Sequence, residues 1–245
     1  MKQTKLNAVI GFPLTQSLSP EFHNAEYAKR GHDAVLRAFE NENLAALVQI
    51  LRTEKIGLTA VTLPFKEKIL PFLDELDPLA KRLQSVNTVL QKDGRLLGFN
   101  TDYHGISKAL EGVELTGKNV LLLGAGGAAH AVAAYINDNG AKLFCLNRDP
   151  ARAQELVQRF GGESIQDPGA HDFDVIINAT PAELPLEAKF LHAGQTVFDL
   201  VYNPEETRFL RAAKEAGAET RPGLLMFEAQ ALEQIRLWEV LVLNS

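Results

Sequence analysis

The chain has 245 residues, of which 46% are hydrophobic and 23% are charged. These proportions are typical of soluble globular proteins, and they exclude disorder or a fibrous repeat as the main state of the chain. The formal net charge of −6 argues against a nucleic-acid surface or a basic membrane-surface domain, but it leaves room for a local cationic pocket. The single cysteine, Cys145, excludes an internal disulfide and a metal site built from several cysteines.

The sequence has no pattern typical of a secretory or membrane segment. The first apolar run spans only about six residues before Phe12 and Pro13, too short for a signal peptide. The most apolar stretch, 120–136, contains three glycines and His130, which is wrong for a lipid-facing span of about 20 residues. We interpret Cys145 as a buried structural thiol and expect a cytoplasmic protein.

In the first half of the chain, short β-rich runs alternate with helical segments. The predicted strands are 8–10, 35–39, 58–61, 87–90 and 96–99, the last two forming a hairpin that turns at 92–94. The predicted helices are 44–51, 69–83 interrupted by Pro71 and Pro78, one that begins at Ser19, and one that follows Thr101 and Asp102. Ser19 is expected to be the N-cap of its helix, with Pro20 in the first helical position.

A second alternating series begins at Val120. Its predicted strands are 120–123, 142–146, 175–177 and 197–198, and its predicted helices are 127–139, 151–160, 205–216 and 224–243. Alternation of this kind predicts an α/β fold with mostly parallel sheets. We place domain boundaries near 102 and 222.

A glycine-rich turn joins the strand at 120–123 to the next helix. Its sequence, GAGGAA, follows the Gly-x-Gly-x-x-Ala pattern of dinucleotide-binding turns. Gly124 permits the tight turn, Gly126 lets backbone N–H groups approach a pyrophosphate, and Ala129 allows close helix–strand packing. The alternative is a turn that only packs. The residues expected to contact the cofactor here are Gly124, Ala125, Gly126, Gly127 and Ala128.

The end of the next strand indicates which dinucleotide binds. A carboxylate there would bind the ribose of NAD, whereas arginine accommodates the 2′-phosphate of NADP. This chain has Asn147 at that position, followed by Arg148 and Arg152, which can converge on one phosphate if a helix begins near Pro150. The pattern favours NADP. Asp149 leaves two alternatives open: it caps the helix, or its charge weakens the phosphate site.

Further motifs lie mostly outside the nucleotide-binding half. They are Ser-Leu-Ser-Pro at 17–20, Val-Thr-Leu-Pro-Phe-Lys at 61–66, Val-Asn-Thr at 86–88, Asn-Thr-Asp at 100–102, Asn-Arg at 147–148, Tyr-Asn-Pro at 202–204 and Gln230. In this combination and order, the chain resembles the shikimate dehydrogenase family. The resemblance runs from about Val9 to Gln230, nearly the whole chain.

The resemblance implies a two-domain α/β enzyme with its active site in the cleft between the domains. Residues 1–102 would form a substrate-binding domain, completed by the C-terminal helix at 223–245. Residues 103–222 would form a Rossmann-like, NADP-binding domain. The implied reaction is the reversible, NADPH-dependent reduction of 3-dehydroshikimate to shikimate, a step in chorismate and aromatic amino acid biosynthesis. No nucleic-acid or membrane partner is implied, and a homodimer is left open.

The residues that match the family's substrate ligands are polar, as a carboxylate with three ring hydroxyls requires. Ser17 and Ser19 match a carboxylate-binding pair at a helix start, where N–H groups favour an anion; the alternative is capping alone. The other matched substrate ligands are Thr62, Asn87, Tyr202 and Gln230. The further cofactor contacts implied are Asn147, Arg148, Arg152, Thr180, Leu200 and Gly223.

Lys66 and Asp102 match the family's catalytic pair. Hydride addition to a ketone leaves negative charge on the oxygen, so a donor must stabilise that charge and deliver a proton. Lys66 would supply the cation. Asp102 would orient Lys66, hydrogen-bond a substrate hydroxyl or share the proton. Without the resemblance, the two would be interpreted as a surface lysine and an acid at a helix start.

Several positions depart from the usual family pattern. Asp149 replaces Thr or Ser, His130 replaces a Ser-Arg helix start, the loop after Thr180 lacks a glycine, and Leu225 stands where glycine is common. These departures leave two alternatives open. One is a quinate/shikimate dehydrogenase that prefers NAD, and the other is a non-catalytic homologue that retains the binding site.

Overall fold

The structure is a computed structural model that describes residues 4–15 and 17–243. It divides into two compact units. Unit 1 comprises Met1–Thr101 and Gln230–Ser245, and unit 2 comprises Asp102–Ala229. The chain therefore enters unit 2 at Asp102 and returns to unit 1 within its last long helix.

Unit 1 contains a mixed six-stranded sheet. Its strands are β1 (Lys5–Gly11), β2 (Ala34–Glu40), β3 (Leu58–Val61), β4 (Glu75–Leu76), β5 (Thr88–Lys92) and β6 (Arg95–Phe99), in the spatial order β2-β1-β3-β5-β6-β4. Strands β1, β2 and β3 are parallel, whereas β5 runs antiparallel to both of its neighbours. The start of β5 and the end of β6 therefore lie at the same sheet edge as the carboxyl ends of β1 and β3.

The helices of unit 1 are α1 (Ser19–Lys29), α2 (Leu44–Thr53), α3 (Pro78–Leu83) and the last part of α8 (Gly223–Trp238), which continues as a π-helical turn (Glu239–Leu243). Helix α2 buries Leu44, Leu47 and Leu51, the spacing of one apolar helical face. Its N-cap, Asn43, accepts a hydrogen bond from the Ala46 N–H. A second apolar cluster in unit 1 includes Trp238, which is fully buried.

Unit 2 contains an all-parallel six-stranded sheet. Its strands are β7 (Asn119–Leu123), β8 (Lys142–Leu146), β9 (Glu163–Ile165), β10 (Val175–Asn178), β11 (Thr196–Asp199) and β12 (Glu219–Pro222), in the order β12-β11-β10-β7-β8-β9. Its helices are α4 (Asp102–Ala109), α5 (Gly127–Asp138), α6 (Pro150–Phe160), α7 (Arg208–Glu215) and the first part of α8. The central strands β7 and β10 are buried almost throughout, as strands covered on both faces require.

The predicted α/β class and the dominance of parallel strands are confirmed. The hairpin turns where expected, with Asp93 and Gly94 both at positive φ (50° and 75°), as a tight two-residue turn requires. The short strands β4, β9 and β12 were not predicted, since two to four residues carry little periodic signal. Among the described residues, no helix has the length and apolarity needed to cross a membrane.

Three local predictions were wrong. Residues 69–83 are not one helix: a 3-10 turn (Leu70–Phe72) and β4 precede α3, because proline lacks a donor and restricts the residue before it. Helix α7 begins at Arg208 rather than at 205, because the Thr207 hydroxyl accepts the Leu210 N–H as an N-cap. Ser19 is not an N-cap but the first residue of α1, and its N–H points toward the Ser17 hydroxyl at 3.4 Å.

Candidate active site

The glycine turn in unit 2 contains glycines of two kinds. Gly124 ends β7 with φ +106°, and a Cβ there would lie 2.8 Å from Thr180 Cγ2, so the fold itself demands glycine. A Cβ on Gly126 would meet no described atom within 4 Å. The fold therefore does not explain Gly126. Space kept beside the backbone suits a ligand that must approach closely.

The first turn of α5, which follows Gly126, is suited to an anion. Within the described residues, this helix has neither a side-chain cap at Gly126 nor an acidic residue in its first turn. The start of a helix presents backbone N–H groups and the positive end of the helix dipole, and both attract an anion. The turn of Gly124, Ala125, Gly126, Gly127 and Ala128 fits a pyrophosphate.

Cys145 of β8 contacts this turn. Its side chain is fully buried, and the sulfur is 3.7 Å from the Gly124 carbonyl oxygen. Burial raises the pKa of the Cys145 thiol to about 12, so it stays protonated. The interpretation of Cys145 as a buried structural thiol is confirmed.

Asp149 lies at the start of α6. Its carboxylate accepts the Ala151 N–H at 3.0 Å, so Asp149 is the N-cap of a helix that begins at Pro150. The Asn147 amide donates to the Asp149 carbonyl oxygen at 2.9 Å and shapes the same loop. Arg148 and Arg152 are exposed on either side of the capping residue in sequence.

The carboxyl ends of β10 and β11 are joined by a buried acid that the sequence interpretation missed. Asp199 accepts hydrogen bonds from Asn178 Nδ2 at 2.8 Å, Thr207 Oγ1 at 2.7 Å and the Val201 N–H at 3.1 Å. Burial is the largest influence on Asp199, and it raises the pKa of this carboxyl group despite those hydrogen bonds. Its position at the end of a buried strand was the available signal.

Three predicted cofactor residues lie at this edge. The Thr180 hydroxyl donates to Asn178 Oδ1 at 2.7 Å, and Thr180 also borders Gly124. Gly223 begins α8 against the end of β11, where a Cβ would lie 2.6 Å from the carbonyl oxygen of Leu200. The structure thus brings Thr180 to the glycine turn and Gly223 to Leu200.

Tyr202, a predicted substrate contact, also lies in unit 2. It follows β11 and is half-buried. Its ring packs against Phe227 of α8, with centroids 4.6 Å apart. The stacking fixes the ring plane near the carboxyl end of β11.

In unit 1, Asn87 is the centre of a buried hydrogen-bond network. Its Oδ1 accepts the Thr101 N–H at 2.7 Å, and its Nδ2 donates to Thr101 Oγ1 at 2.9 Å and Gln230 Oε1 at 3.1 Å. None of the three side chains is more than 9% exposed. Asn87 and Gln230, both predicted substrate ligands, are 143 positions apart in sequence and are brought together here.

The segment after β3 is tied to the same edge. The Thr62 N–H donates to the Ile10 carbonyl oxygen at 3.0 Å, and the Phe65 N–H donates to the Thr62 carbonyl oxygen at 2.9 Å. The Lys66 carbonyl oxygen accepts the N–H of Val86, the residue before Asn87, at 2.8 Å. Both Thr62 and Lys66 are half-buried.

The two predicted carboxylate ligands lie at the start of α1, beyond the carboxyl end of β1. Ser19 is 7% exposed and Ser17 is half-buried. Within the described residues, no side chain caps this helix at Leu18, and Glu21 places a carboxylate in its first turn. Ser17 and Ser19 thus belong to the same sheet edge as Thr62, Lys66 and Asn87.

Asp102 is the first residue of α4 and is 2% exposed. It follows Thr101 directly, and the Thr101 N–H is bound to Asn87. A carboxylate in the first turn of a helix is stabilised by the helix dipole.

Comparison with known proteins follows the same division. A family model described as the shikimate dehydrogenase substrate binding domain matches residues 9–89, and one described as shikimate / quinate 5-dehydrogenase matches residues 106–194. A relative from Pyrococcus abyssi, named shikimate dehydrogenase (NADP(+)), is 41% identical over 244 residues, which cover 96% of this chain and 92% of that protein. The chain belongs to the shikimate dehydrogenase family. The family resemblance read from the motifs is confirmed.

Solved structures of shikimate dehydrogenases share the fold. The crystal structure of the enzyme from Aquifex aeolicus is 36% identical, with a TM-score of 0.92 and coverage of 98% of this chain and 94% of that chain. The structure of shikimate 5-dehydrogenase from Thermus thermophilus, in complex with NADP(H) and shikimate, is 38% identical, with a TM-score of 0.89 and coverage of 97% and 94%.

Four hydrogen-bonded residues were not assigned a role from sequence: Thr101, Asp199, His23 of α1, and Gln234 of α8, whose Oε1 lies 3.1 Å from His23 Nε2. Gln234 stands four residues after Gln230, and His23 stands four residues after Ser19. One helical turn separates each pair, so each new residue shares a helix face with a predicted ligand. That spacing was the signal in the sequence that could have pointed to His23 and Gln234.

Proposed function

We propose that this chain catalyses the reversible, NADPH-dependent reduction of 3-dehydroshikimate to shikimate. The observation that carries the proposal is the buried Asn87–Thr101–Gln230 network, at the sheet edge that also holds Thr62 and Lys66. Membership of the shikimate dehydrogenase family supports it, as do relatives named shikimate dehydrogenase (NADP(+)). We assign the reaction to the cytoplasm.

The substrate-binding role falls to residues 1–102 together with the C-terminal helix 223–245. Ser17, Ser19 and the N–H groups at the start of α1 would bind the carboxylate. Asn87 and Gln230, which this network holds in place, would form hydrogen bonds with the substrate hydroxyls. Thr62, together with Tyr202 from the stretch 103–222, completes the proposed set of substrate ligands.

The cofactor-binding role falls to residues 103–222. The glycine turn would hold the pyrophosphate, and Arg148 and Arg152 would bind the 2′-phosphate as charge-assisted partners. Asp149 is the N-cap of α6, and relatives named shikimate dehydrogenase (NADP(+)) support the NADP assignment. Asn147, Thr180 and Leu200, together with Gly223 just beyond this range, form the remaining proposed contacts. NADPH, when bound, supplies the hydride.

Lys66 and Asp102 would handle charge and the proton. The Lys66 ammonium would stabilise the negative charge that develops on the carbonyl oxygen and would donate a proton to it. Asp102 would accept a hydrogen bond from Lys66 or from a substrate hydroxyl and so fix the direction of that donation. In the reverse reaction, the Lys66 amine accepts the hydroxyl proton.

The deciding experiment measures initial rates of substrate oxidation at 340 nm. Shikimate and quinate are each paired with NADP⁺ and NAD⁺, and the pair shikimate with NADP⁺ is expected to give the highest kcat/KM. A preference for quinate with NAD⁺ would reject the proposal in favour of a quinate/shikimate dehydrogenase. Thermal stabilisation by shikimate without any turnover would indicate a binding protein instead.

A further inference from the structure

A buried histidine lies behind the proposed substrate site. His23 is fully buried on α1, one turn after Ser19. Its Nδ1 lies 2.9 Å from the Ser19 carbonyl oxygen, and its Nε2 lies 3.1 Å from Gln234 Oε1. The proposed mechanism uses neither His23 nor Gln234.

The hydrogen bonds around Gln234 fix which way its amide faces. Gln234 Nε2 lies 2.9 Å from the Asn87 carbonyl oxygen and 2.9 Å from Thr88 Oγ1. A backbone carbonyl can only accept, so the Gln234 nitrogen must face Asn87 and the Gln234 oxygen must face His23. His23 therefore has to donate from Nε2.

The His23–Gln234 hydrogen bond lies one helical turn from a proposed substrate ligand on each of the two helices it joins. On α1, Ser19 precedes His23 by four residues, and on α8, Gln230 precedes Gln234 by four residues. Four residues correspond to a rise of about 6 Å along a helix. The His23–Gln234 hydrogen bond thus joins the helix that carries Ser19 to the helix that carries Gln230.

We infer that His23 is a positioning residue for substrate binding: by donating from Nε2 to Gln234, it sets the distance between Ser19 and the Asn87–Gln230 pair. This inference rests on the proposed function, in which Ser19 binds the carboxylate and Asn87 and Gln230 bind hydroxyls. A rigid molecule with a carboxylate at one end and hydroxyls at the other is sensitive to that distance. His23 acts through Gln234 and does not touch the substrate.

The neutral ring can satisfy only one of its two acceptors. Both the Ser19 carbonyl oxygen and Gln234 Oε1 accept, and burial lowers the pKa of His23 to about 4, so a single ring proton is available at neutral pH. The Ser19 carbonyl is also the helical acceptor for the His23 N–H, whereas Gln234 Oε1 depends on the ring. The proton therefore resides on Nε2.

Two substitutions separate the two ring contacts. In His23→Gln, the side-chain amide reaches the position of Nε2 and can still donate to Gln234. In His23→Asn, the amide reaches only the position of Nδ1, so it faces the Ser19 carbonyl oxygen and the donor to Gln234 is lost. We expect His23→Asn to raise the KM for shikimate about fivefold, equivalent to about 1 kcal/mol. In the same assay, kcat and the KM for NADP⁺ change less than twofold, and His23→Gln restores the KM for shikimate.

Tyr27→Phe is the matched control. Tyr27 is fully buried on the same helix, one turn beyond His23, and its hydroxyl accepts a hydrogen bond from Asn7 Nδ2 at 2.8 Å. Its loss should lower the melting temperature and leave the KM for shikimate unchanged. If His23→Asn behaves like Tyr27→Phe, His23 is merely structural and the inference is overturned.

A double variant and a spectroscopic measurement complete the test. Combining His23→Asn with Gln234→Met should raise the KM for shikimate no further than Gln234→Met alone, because both substitutions remove the same His23–Gln234 hydrogen bond. In ¹⁵N spectra of the wild-type protein, His23 should show a protonated Nε2 and an unprotonated Nδ1. The opposite tautomer would overturn the inference even if no variant folds. Absence of shikimate oxidation by the wild type would instead reject the proposed function, whatever the tautomer.

Discussion

The carboxyl edges of the two sheets present their polar groups in contrasting ways. In unit 1, Asn87, Thr101 and Gln230 are at most 9% exposed and hydrogen-bond to one another. In unit 2, the proposed cofactor contacts are backbone groups of a helix start without a side-chain cap and two exposed arginines, Arg148 and Arg152. The first edge uses side chains that are already oriented, and the second uses main chain and exposed charge.

The difference follows from the proposed ligands. A small polyol acid offers hydroxyls at fixed angles, so donors that are ordered in advance lose little entropy on binding. A dinucleotide offers phosphates, which backbone N–H groups and arginine bind with little demand on side-chain burial. Changes to the buried side chains of unit 1 should therefore affect both binding and stability, whereas changes at Gly126, Arg148 and Arg152 of unit 2 should affect binding alone.

Lys66→Ala should have the largest effect, and it is the exception in unit 1, because it should reduce catalysis without reducing stability. Lys66 is half-buried, and the contact of its backbone with Val86 does not depend on the side chain. We expect kcat for shikimate oxidation to fall about 10³-fold, typical of losing a general acid or base. The melting temperature and the affinity for NADP⁺, measured by fluorescence titration, should stay close to wild type. Retention of the wild-type rate would show that Lys66 is not catalytic.

Acidification should destabilise the buried network of unit 1. The pKa of His23 is lowered by burial from 6.5 to about 4, so the unfolded chain binds more protons than the folded chain between these values. The stability contributed by neutral His23 is fully present above pH 6.5 and is lost as the pH falls toward 4, by up to about 3 kcal/mol.

Urea unfolding of the wild type and His23→Gln at pH 7.0 and 4.5 measures this effect. Glutamine does not titrate, so the loss between the two pH values should be smaller in the variant. Equal losses would mean that other groups, and not His23, cause the acid sensitivity.

Gly126→Ala tests whether unit 2 separates binding from stability. A methyl group there would meet no described atom within 4 Å, so the melting temperature should hold or rise slightly. It would occupy the space proposed for the pyrophosphate, and we expect the dissociation constant for NADP⁺ to rise at least about tenfold.

Gly124→Ala is the matched control for Gly126→Ala. With φ +106° and Thr180 Cγ2 only 2.8 Å from the added Cβ, it should lower the melting temperature clearly. If both variants were equally destabilised, Gly126 would be a packing residue like Gly124.

Arg148→Ala should have the smallest effect and act on cofactor choice alone. Removing one charge-assisted contact to a phosphate should weaken NADPH about tenfold and leave NADH nearly unchanged. The exposed position of Arg148 predicts no change in melting temperature. Equal weakening of both cofactors would assign Arg148 a structural role in the loop before α6.

Prediction from sequence was most successful where a signal is local. The glycine turn, the helix starting at Pro150 and the hairpin at Asp93 and Gly94 each depend on a few adjacent residues. It failed where a proline or a threonine shifted a helix boundary, as at Pro78 and Thr207. It placed Asn87 and Gln230 in the site only through the family resemblance.

The sequence alone determined the order of strands and helices, the dinucleotide turn and the family. These features depend on periodicity, glycines and ordered motifs, which act over short stretches of chain. Only the tertiary structure decided which side chains share hydrogen bonds. Asn87 meets Gln230 across 143 positions, and His23 meets Gln234 across 211. No local pattern encodes such contacts, because they arise when α8 packs against β5 and α1 and buries polar groups, which must then find partners in each other.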